Sequence, residues 1–214
     1  MTKLLRSLEE RLATGHTALL VVDMQNDFCA ETGYITRELG RDVRACREIV
    51  PALNDLVAAA REAGIPVVWI VAEYDDDDIP APMLAKKLAA GISAVSCARG
   101  SWGAEAFGVT RNADEPVVVK HNYSGFVGTE LHTVLASRGI ATLVFAGVQT
   151  NVCVESTLRD AHAMGYYVVV AEDCVASHMP AQHQATLDNV RFLFGDVTDS
   201  GTIAGAWRRS EVLS

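Results

Sequence analysis

Hydrophobic positions follow two alternating patterns along the chain. Short, nearly continuous apolar runs rich in valine and leucine are typical of strands buried on both faces. Between most of these runs, apolar residues recur every three or four positions, as on one side of a helix. The runs predict strands at 17–24, 67–72, 116–120, 141–148 and 167–172. The helical spacing predicts helices at 41–66, 128–139, 151–165 and 181–195.

Strands alternating with helices indicate a parallel sheet, because each connection between parallel strands crosses one face of the sheet. We therefore expect an α/β fold with helices on both faces. No linker rich in Pro, Gly or Ser divides the sequence, so a single domain over 1–214 is expected. Pro51 lies inside the first helical pattern, so this helix either kinks there or is preceded by a short separate helix. The stretch 73–115, rich in Gly, Asp and Pro, is predicted to be irregular and to border the site.

Composition and charge narrow the class of protein. Of the 214 residues, 50% are hydrophobic and 21% are charged, which fits a soluble globular chain rather than a disordered one. The formal net charge of −9, without a Lys/Arg cluster, disfavours nucleic acid and anionic membranes as partners. No apolar run resembles a signal peptide or membrane span, and the five cysteines form no C-x-x-C pair. A cytoplasmic protein with free thiols is expected.

Three predicted strands lead into residues that can perform chemistry. Ligands of open parallel sheets bind beyond the carboxyl ends of the strands, where Asp23, Lys120 and Cys153 occur. A helix N-terminus and a nearby ammonium lower the pKa of a thiol, and a carboxylate can accept its proton. Each residue alone also fits a structural role: a loop cap, a lysine reaching solvent, and a core cysteine. Their shared placement favours a nucleophilic site, and the lack of G-x-G-x-x-G after the first strand disfavours a dinucleotide cofactor.

Three motifs, VVDMQNDF, VVVKHNYSGF and GVQTNVCVESTLRDAHAMGY, resemble those of the isochorismatase-like cysteine hydrolases, in the same order. The segment RGSWGAEAFG at 99–108 is similar to the Gly-Trp-Gly loop of that family, and the resemblance spans about 18–197. It implies a Rossmann-like three-layer sandwich with a six-stranded parallel sheet, assembled as a homodimer or homotetramer. It also implies an Asp23–Lys120–Cys153 triad and a cis peptide bond between Val148 and Gln149. The backbone amides of Gln149 and Cys153 would form an oxyanion hole.

The resemblance also bears on the substrate. Members that cleave isochorismate typically lack the cysteine, so Cys153 favours hydrolysis of a C–N bond through an acyl-enzyme. Nicotinamidases of the family carry a D-x-H metal motif with further histidines, whereas this chain has no histidine between residues 64 and 120. The motifs look most like those of hydrolases acting on ureidoacrylate, biuret, triuret or N-carbamoyl amino acids. We expect a small polar amide or ureide as substrate, with neither cofactor nor metal. A nicotinamide or vinyl-ether substrate, and a non-enzymatic thiol sensor, remain the alternatives.

Polar side chains near the motifs can pair with such a substrate, and aromatic side chains can wall its pocket. The expected substrate-binding residues are Gln25, Asn26, Phe28, Trp102, Tyr123, Ser124, Phe126, Gln149 and Asn151. Other features favour structural interpretations. The acidic run at 75–78 is expected to be a solvated, lid-like turn rather than a cation site. His178 and His183 are expected at the surface of a loop and a helix, and Cys174 is expected to pack near the sheet edge rather than to bind metal with Cys153.

Overall fold

The computed structural model describes residues 4–212, and in this part of the chain six strands form one sheet. The spatial order is β3-β2-β1-β4-β5-β6, and all neighbouring strands are parallel. Strands β2 and β3 are added on one side of β1, and β4 to β6 are added on the other side. The strand order therefore reverses between β1 and β4, the kind of position at which such sheets bind ligands. The strands are β1 (Thr17–Val22), β2 (Val67–Ala72), β3 (Val117–Lys120), β4 (Thr142–Val148), β5 (Tyr167–Ala176) and β6 (Gly195–Thr198).

Ten α-helices accompany these strands within residues 4–212. None of them combines the length and apolar composition needed to cross a membrane. The helices are α1 (Leu8–Arg11), α2 (Asn26–Cys29), α3 (Tyr34–Leu39), α4 (Arg44–Glu48), α5 (Val50–Glu62), α6 (Ala81–Ala89), α7 (Leu131–Ala136), α8 (Glu155–Ala163), α9 (Pro180–Asn189) and α10 (Ser200–Val212).

Successive strand residues face opposite sides of the sheet, which gives the fold two separate cores. Leu19 of β1 belongs to the core covered by α5 and α10, with Trp207 fully buried there. Leu20 belongs to the other core, where Leu131 of α7 and Leu158 of α8 pack. Helices thus cover both faces of a parallel sheet, and the predicted three-layer α/β architecture is confirmed.

The five predicted strands are present, and β5 extends beyond its prediction to Ala176. Pro51 lies in the first turn of α5, and α4 ends at Glu48, so a short separate helix precedes the longer one. The irregular stretch expected at 73–115 contains α6, and that expectation is wrong for this part. No residue of α6 is fully buried, and the Gly, Asp and Pro residues around this helix favour irregular structure. Strand β6 also escaped detection, because it has only four residues and begins with Gly and Asp.

Gly147 brings the end of β4 unusually close to β1. It pairs in register with Val22 and has a φ of +108°, a conformation that favours glycine. A Cβ atom at this position would lie 2.0 Å from the carbonyl oxygen of Val22. The absence of a side chain therefore lets the turn after β4 lie beside Asp23, the residue that follows β1.

Candidate active site

The side chains of Asp23, Lys120 and Cys153 meet at the carboxyl edge of the sheet. The Nζ atom of Lys120 lies 2.9 Å from Oδ2 of Asp23 and 3.4 Å from Sγ of Cys153. All three residues are buried, with relative exposures of 0% for Asp23 and Lys120 and 4% for Cys153. Strands β1, β3 and β4 thus bring a carboxylate, an ammonium and a thiol into one contact group, as the strand-end argument predicted.

Asp23 is held in a constrained position at the end of β1. Its backbone has a φ of +50°, in the left-handed region, and its amide donates to the carbonyl of Ile70 at 2.9 Å. The close polar neighbours of its carboxylate are Lys120 and Cys153. No other donor in the described part of the chain hydrogen-bonds to these oxygens. A carboxylate left with unused lone pairs beside a thiol is suited to accept the thiol proton.

Burial governs the protonation of this group. It raises the pKa of Asp23, and the nearby Lys120 offsets this only in part. Burial and the negative charge of Asp23 raise the pKa of Cys153 to about 12, although Lys120 opposes the shift. Burial alone would lower the pKa of Lys120, but the charges of Asp23 and Cys153 outweigh it, so this pKa is raised. The ammonium is therefore retained and Cys153 rests as a thiol.

The direction of the Cys153 shift is a correction, because a lowered thiol pKa is expected from the sequence. The ammonium of Lys120 does act in that direction, but desolvation and the Asp23 carboxylate are stronger in this site. A thiol with a pKa of about 12 is not a nucleophile near neutral pH until a base removes its proton. A role of Asp23 as that base is consistent with the geometry.

Tyr74 is a fourth member of the group, which the sequence argument missed. Lys120 Nζ donates to the Tyr74 hydroxyl at 2.6 Å, and this hydroxyl lies 3.6 Å from Cys153 Sγ. The hydroxyl also donates to the carbonyl of Asn122 at 3.1 Å. Burial raises its pKa well above the ordinary value, so it stays protonated. The signal was available, because Tyr74 follows the end of β2, at the sheet edge that holds the other three residues.

Replacing Tyr74 with phenylalanine is expected to lower kcat about 10- to 100-fold, since a hydrogen bond to a charged group contributes roughly 1.5–3 kcal/mol. The measurement is steady-state turnover together with the melting temperature. Tyr166→Phe is a matched control, because that hydroxyl contacts His132 at 2.9 Å and does not line the site cavity. Wild-type kcat in a folded Y74F protein would show that the hydroxyl contributes nothing to turnover.

The turn after β4 positions Cys153. The Val148–Gln149 peptide bond is cis, as the resemblance implies. A π-helical turn at Thr150–Val154 follows and contains Cys153, so the cysteine lies just before α8 rather than in its first turn. The hydroxyl of Thr157 donates to the Cys153 carbonyl at 2.7 Å and accepts from the Gly125 amide at 2.9 Å. These bonds tie the cysteine turn to the loop that follows Lys120.

A cavity of about 310 Å³ opens above this group, and both Asp23 and Cys153 line it. Much of its wall is apolar, including Ile35 of α3 and Met83 of α6. Lysines of α6 also line it. Asp23, Tyr74 and Cys153 therefore line a half-open cavity of the size that holds small ligands, and Lys120 contacts all three of them.

The model of the isochorismatase domain matches residues 17–202 of the chain. The chain belongs to the isochorismatase family. A ureidoacrylate amidohydrolase, RutB, of Klebsiella variicola is 38% identical over an alignment 216 residues long with its gaps, which covers 94% of this chain and 91% of that protein.

Solved structures of related hydrolases have the same fold. A cysteine hydrolase from Pseudomonas syringae pv. phaseolicola has a TM-score of 0.81 at 28% identity, covering 98% of this chain and 100% of that one. The N-carbamoylsarcosine amidase of Thermoplasma acidophilum has a TM-score of 0.70 at 28% identity, covering 86% of this chain and 96% of that one.

Three of the nine expected substrate-binding residues of this isochorismatase-family chain line the cavity: Phe28, Tyr123 and Gln149. The side chain of Gln149 is held on both sides. Its Oε1 accepts from the His178 amide at 2.9 Å, and its Nε2 donates to the Phe28 carbonyl at 3.4 Å. Gln149 is therefore a rigid part of the wall rather than a freely moving contact.

The other six expected binding residues do not line the cavity and have structural contacts instead. Gln25 hydrogen-bonds to the backbone N–H and C=O of Ala72, which joins the loop after β1 to the end of β2. Asn26 donates to the carbonyl of Trp102 at 2.8 Å, and the Trp102 residue is 48% exposed. These polar side chains form hydrogen bonds between loops. The local sequence does not distinguish a side chain in this structural role from one that binds substrate.

The remaining three lie in the loop after β3 and in the cysteine turn. Ser124 Oγ accepts from the amide of Phe126 at 3.2 Å, and the Phe126 ring stacks on Tyr166 at 6.0 Å. Asn151 Oδ1 accepts from the hydroxyl of Ser177 at 2.6 Å. Each of these contacts stabilises a loop bordering the site, and none faces the cavity.

The two histidines differ from the expected surface positions. His178 lines the cavity, and its Nδ1 lies 3.1 Å from Gln149 Oε1. His183 is half-buried, with Nδ1 at 2.9 Å from the Thr150 hydroxyl. Burial lowers the pKa of both rings. His178 follows the end of β5, so the strand-end rule applies to it as it does to Tyr74.

The acidic run lies in a turn before α6, and Cys174 lies in a strand. Asp78 pairs with Arg99 at 2.9 Å, and Asp76 pairs with Lys87 of α6 in the turn that precedes this helix. Cys174 is fully buried in β5. Within residues 4–212, no three His, Cys, Asp or Glu side chains are grouped in a way that could hold a metal ion.

Proposed function

We propose that this protein is a cysteine-dependent amidohydrolase that cleaves a C–N bond of a small ureido or carbamoyl compound. The observation that carries the proposal is the buried contact of Lys120 with both Asp23 and Cys153, two residues that line the cavity. Similarity to a ureidoacrylate amidohydrolase and to an N-carbamoylsarcosine amidase supports this class of substrate.

In the proposed first step, Asp23 accepts the thiol proton while Sγ of Cys153 attacks the carbonyl carbon. Lys120 compensates the negative charge of the thiolate and fixes the carboxylate, 2.9 Å from its Nζ. The C=O bond becomes a C–O⁻ bond, which the backbone amides of Gln149 and Cys153 stabilise as an oxyanion hole. Each such donor is worth roughly 3 kcal/mol in the transition state.

Collapse of this intermediate breaks the C–N bond, and protonated Asp23 returns its proton to the leaving nitrogen. Ammonia or an amine departs, and a thioester to Cys153 remains. Asp23 then deprotonates a water molecule, which attacks the thioester carbonyl, and the thiol leaves with a proton. A carbamate product loses CO₂, so a ureide with a terminal –NH₂ releases ammonia whichever C–N bond breaks first. The chemistry requires no group beyond these side chains, the two amides and water.

The test is ammonia release from ureidoacrylate, N-carbamoyl amino acids, biuret, triuret and nicotinamide. We expect the wild-type protein to release ammonia from at least one ureido or carbamoyl compound, and not from nicotinamide. Release from nicotinamide alone would instead identify a nicotinamidase. Silence across the whole panel, with rapid oxidation of Cys153 by peroxide, would indicate a thiol sensor and contradict the proposal.

A further inference from the structure

Helix α6 places two lysines, Lys86 and Lys87, in the wall of the cavity, and they differ in whether a carboxylate pairs with the ammonium. The ammonium of Lys87 pairs with the carboxylate of Asp76 in the preceding turn. Lys86 also lines the cavity, is exposed, and has no ion-pair partner in the described part of the chain. One ammonium is therefore available at the cavity for a negatively charged ligand.

The other ionisable groups of the cavity cancel or are neutral. Lys120 compensates Asp23 in the buried pair at the base. Burial raises the pKa of Cys153 to about 12, which keeps the thiol protonated, and lowers the pKa of His178, which favours its neutral ring. The cavity thus carries about one excess positive charge from Lys86, although the chain as a whole has a formal net charge of −9. A positive site on a negative protein favours anionic ligands locally.

Apolar side chains form much of the remaining wall, among them Ile35, Leu39, Ile79, Met83 and Ile92. A polar N–H or C=O group held against such a surface loses its hydrogen bonds to water without replacement. A compound that is polar over its whole length, such as biuret, therefore matches this wall poorly. A molecule with a carbon segment between two polar ends matches it well.

We infer that the substrate is a monoanionic amide or ureide, with a carbon segment between its scissile carbonyl and a carboxylate that Lys86 binds. This inference deepens the proposed function and rests on it. Lys86 is a specificity-determining residue, and it acts on substrate binding rather than on the covalent steps. Acidic ureides are accordingly better substrates than biuret or triuret.

The experiment measures ammonia release from ureidoacrylate, N-carbamoyl-β-alanine and N-carbamoyl-leucine, each paired with its methyl ester. For the wild-type protein, we expect each accepted acid to exceed its ester in kcat/KM, mainly through a lower KM. Lys86→Met should raise KM for the acid about 3- to 10-fold, as expected for one partly exposed ion pair, and so remove the preference. Lys86→Arg should largely retain it. In 0.5 M KCl, the preference of the wild-type protein should shrink, because salt screens exposed charges.

Arg111→Gln is the matched control, because it removes the same unit of positive charge as Lys86→Met. Arg111 is exposed and lies outside the cavity lining. We expect it to leave KM for the acids unchanged. Equal kcat/KM for acid and ester in the wild-type protein, or equal effects of K86M on both, would overturn the role of Lys86 while leaving the amidohydrolase in place. Ammonia release from biuret or triuret, with none from any acid or ester, would overturn the inference alone. Silence on all of these compounds would overturn the proposed function and the inference together.

Discussion

Cys153→Ala abolishes ammonia release, with kcat falling by at least about 10⁴-fold, the scale seen when a nucleophile is removed. The physical reason is that no thioester can form without Sγ, and no other thiol lines the cavity in the described part of the chain. Since the substitution removes one small buried atom, we expect the fold to persist. Circular dichroism and the melting temperature check that expectation beside the kinetic assay.

Cys174→Ala is the control for loss of a buried thiol. Cys174 is fully buried in β5 and does not line the cavity. We expect this variant to keep kcat within about twofold of wild type, because a substitution far from the reacting atoms leaves their geometry in place. Near-wild-type turnover in folded C153A would contradict the acyl-enzyme mechanism. Equal inactivity of the two variants would attribute the loss to packing instead.

Asp23→Asn is expected to lower kcat about 10³- to 10⁴-fold, because the amide cannot accept the thiol proton. It also leaves the buried ammonium of Lys120 without its countercharge, which costs about 3–5 kcal/mol of folding stability. A double variant, D23N with Lys120→Met, removes both charges and should recover much of this stability while remaining inactive. Turnover assays and chemical denaturation of the wild type, D23N and the double variant give kcat and the free energy of unfolding. Activity in the stable double variant would contradict the role of Asp23 as the base.

The role of Asp23 as the base also sets the pH dependence of kcat/KM for the wild-type enzyme. Asp23 must be ionised to accept a proton, so kcat/KM falls as the pH decreases through the pKa of this carboxyl. Because burial raises that pKa, the midpoint should lie above the ordinary aspartate value of about 3.9. The thiol, with a pKa of about 12, should produce no change between pH 7 and 9. Assays from about pH 3 to 9 test this, and a midpoint at or below about 3.9 would contradict the effect of burial.

The strand-end rule located Asp23, Lys120 and Cys153 because apolar strands are a local signal and parallel strands end at one edge of the sheet. Tyr74 and His178 follow two further strand ends, and applying the rule to every strand would have included both. Side chains near a motif were less predictable. Whether a glutamine such as Gln25 faces a cavity or fastens a loop depends on the turn geometry, which no short stretch of sequence encodes.

The sequence by itself determined the order of five of the six strands, the parallel three-layer architecture and the chemical types at the strand ends, since these depend on local periodicity and on where apolar runs stop. The tertiary structure decided three other properties. It raised the pKa of Cys153, because desolvation depends on everything packed around the thiol. It brought α6, with Met83 and Lys86, to the cavity, although the sequence pattern there predicts no helix. It also assigned polar side chains either to the cavity or to loop contacts, because those positions depend on how distant segments pack against one another.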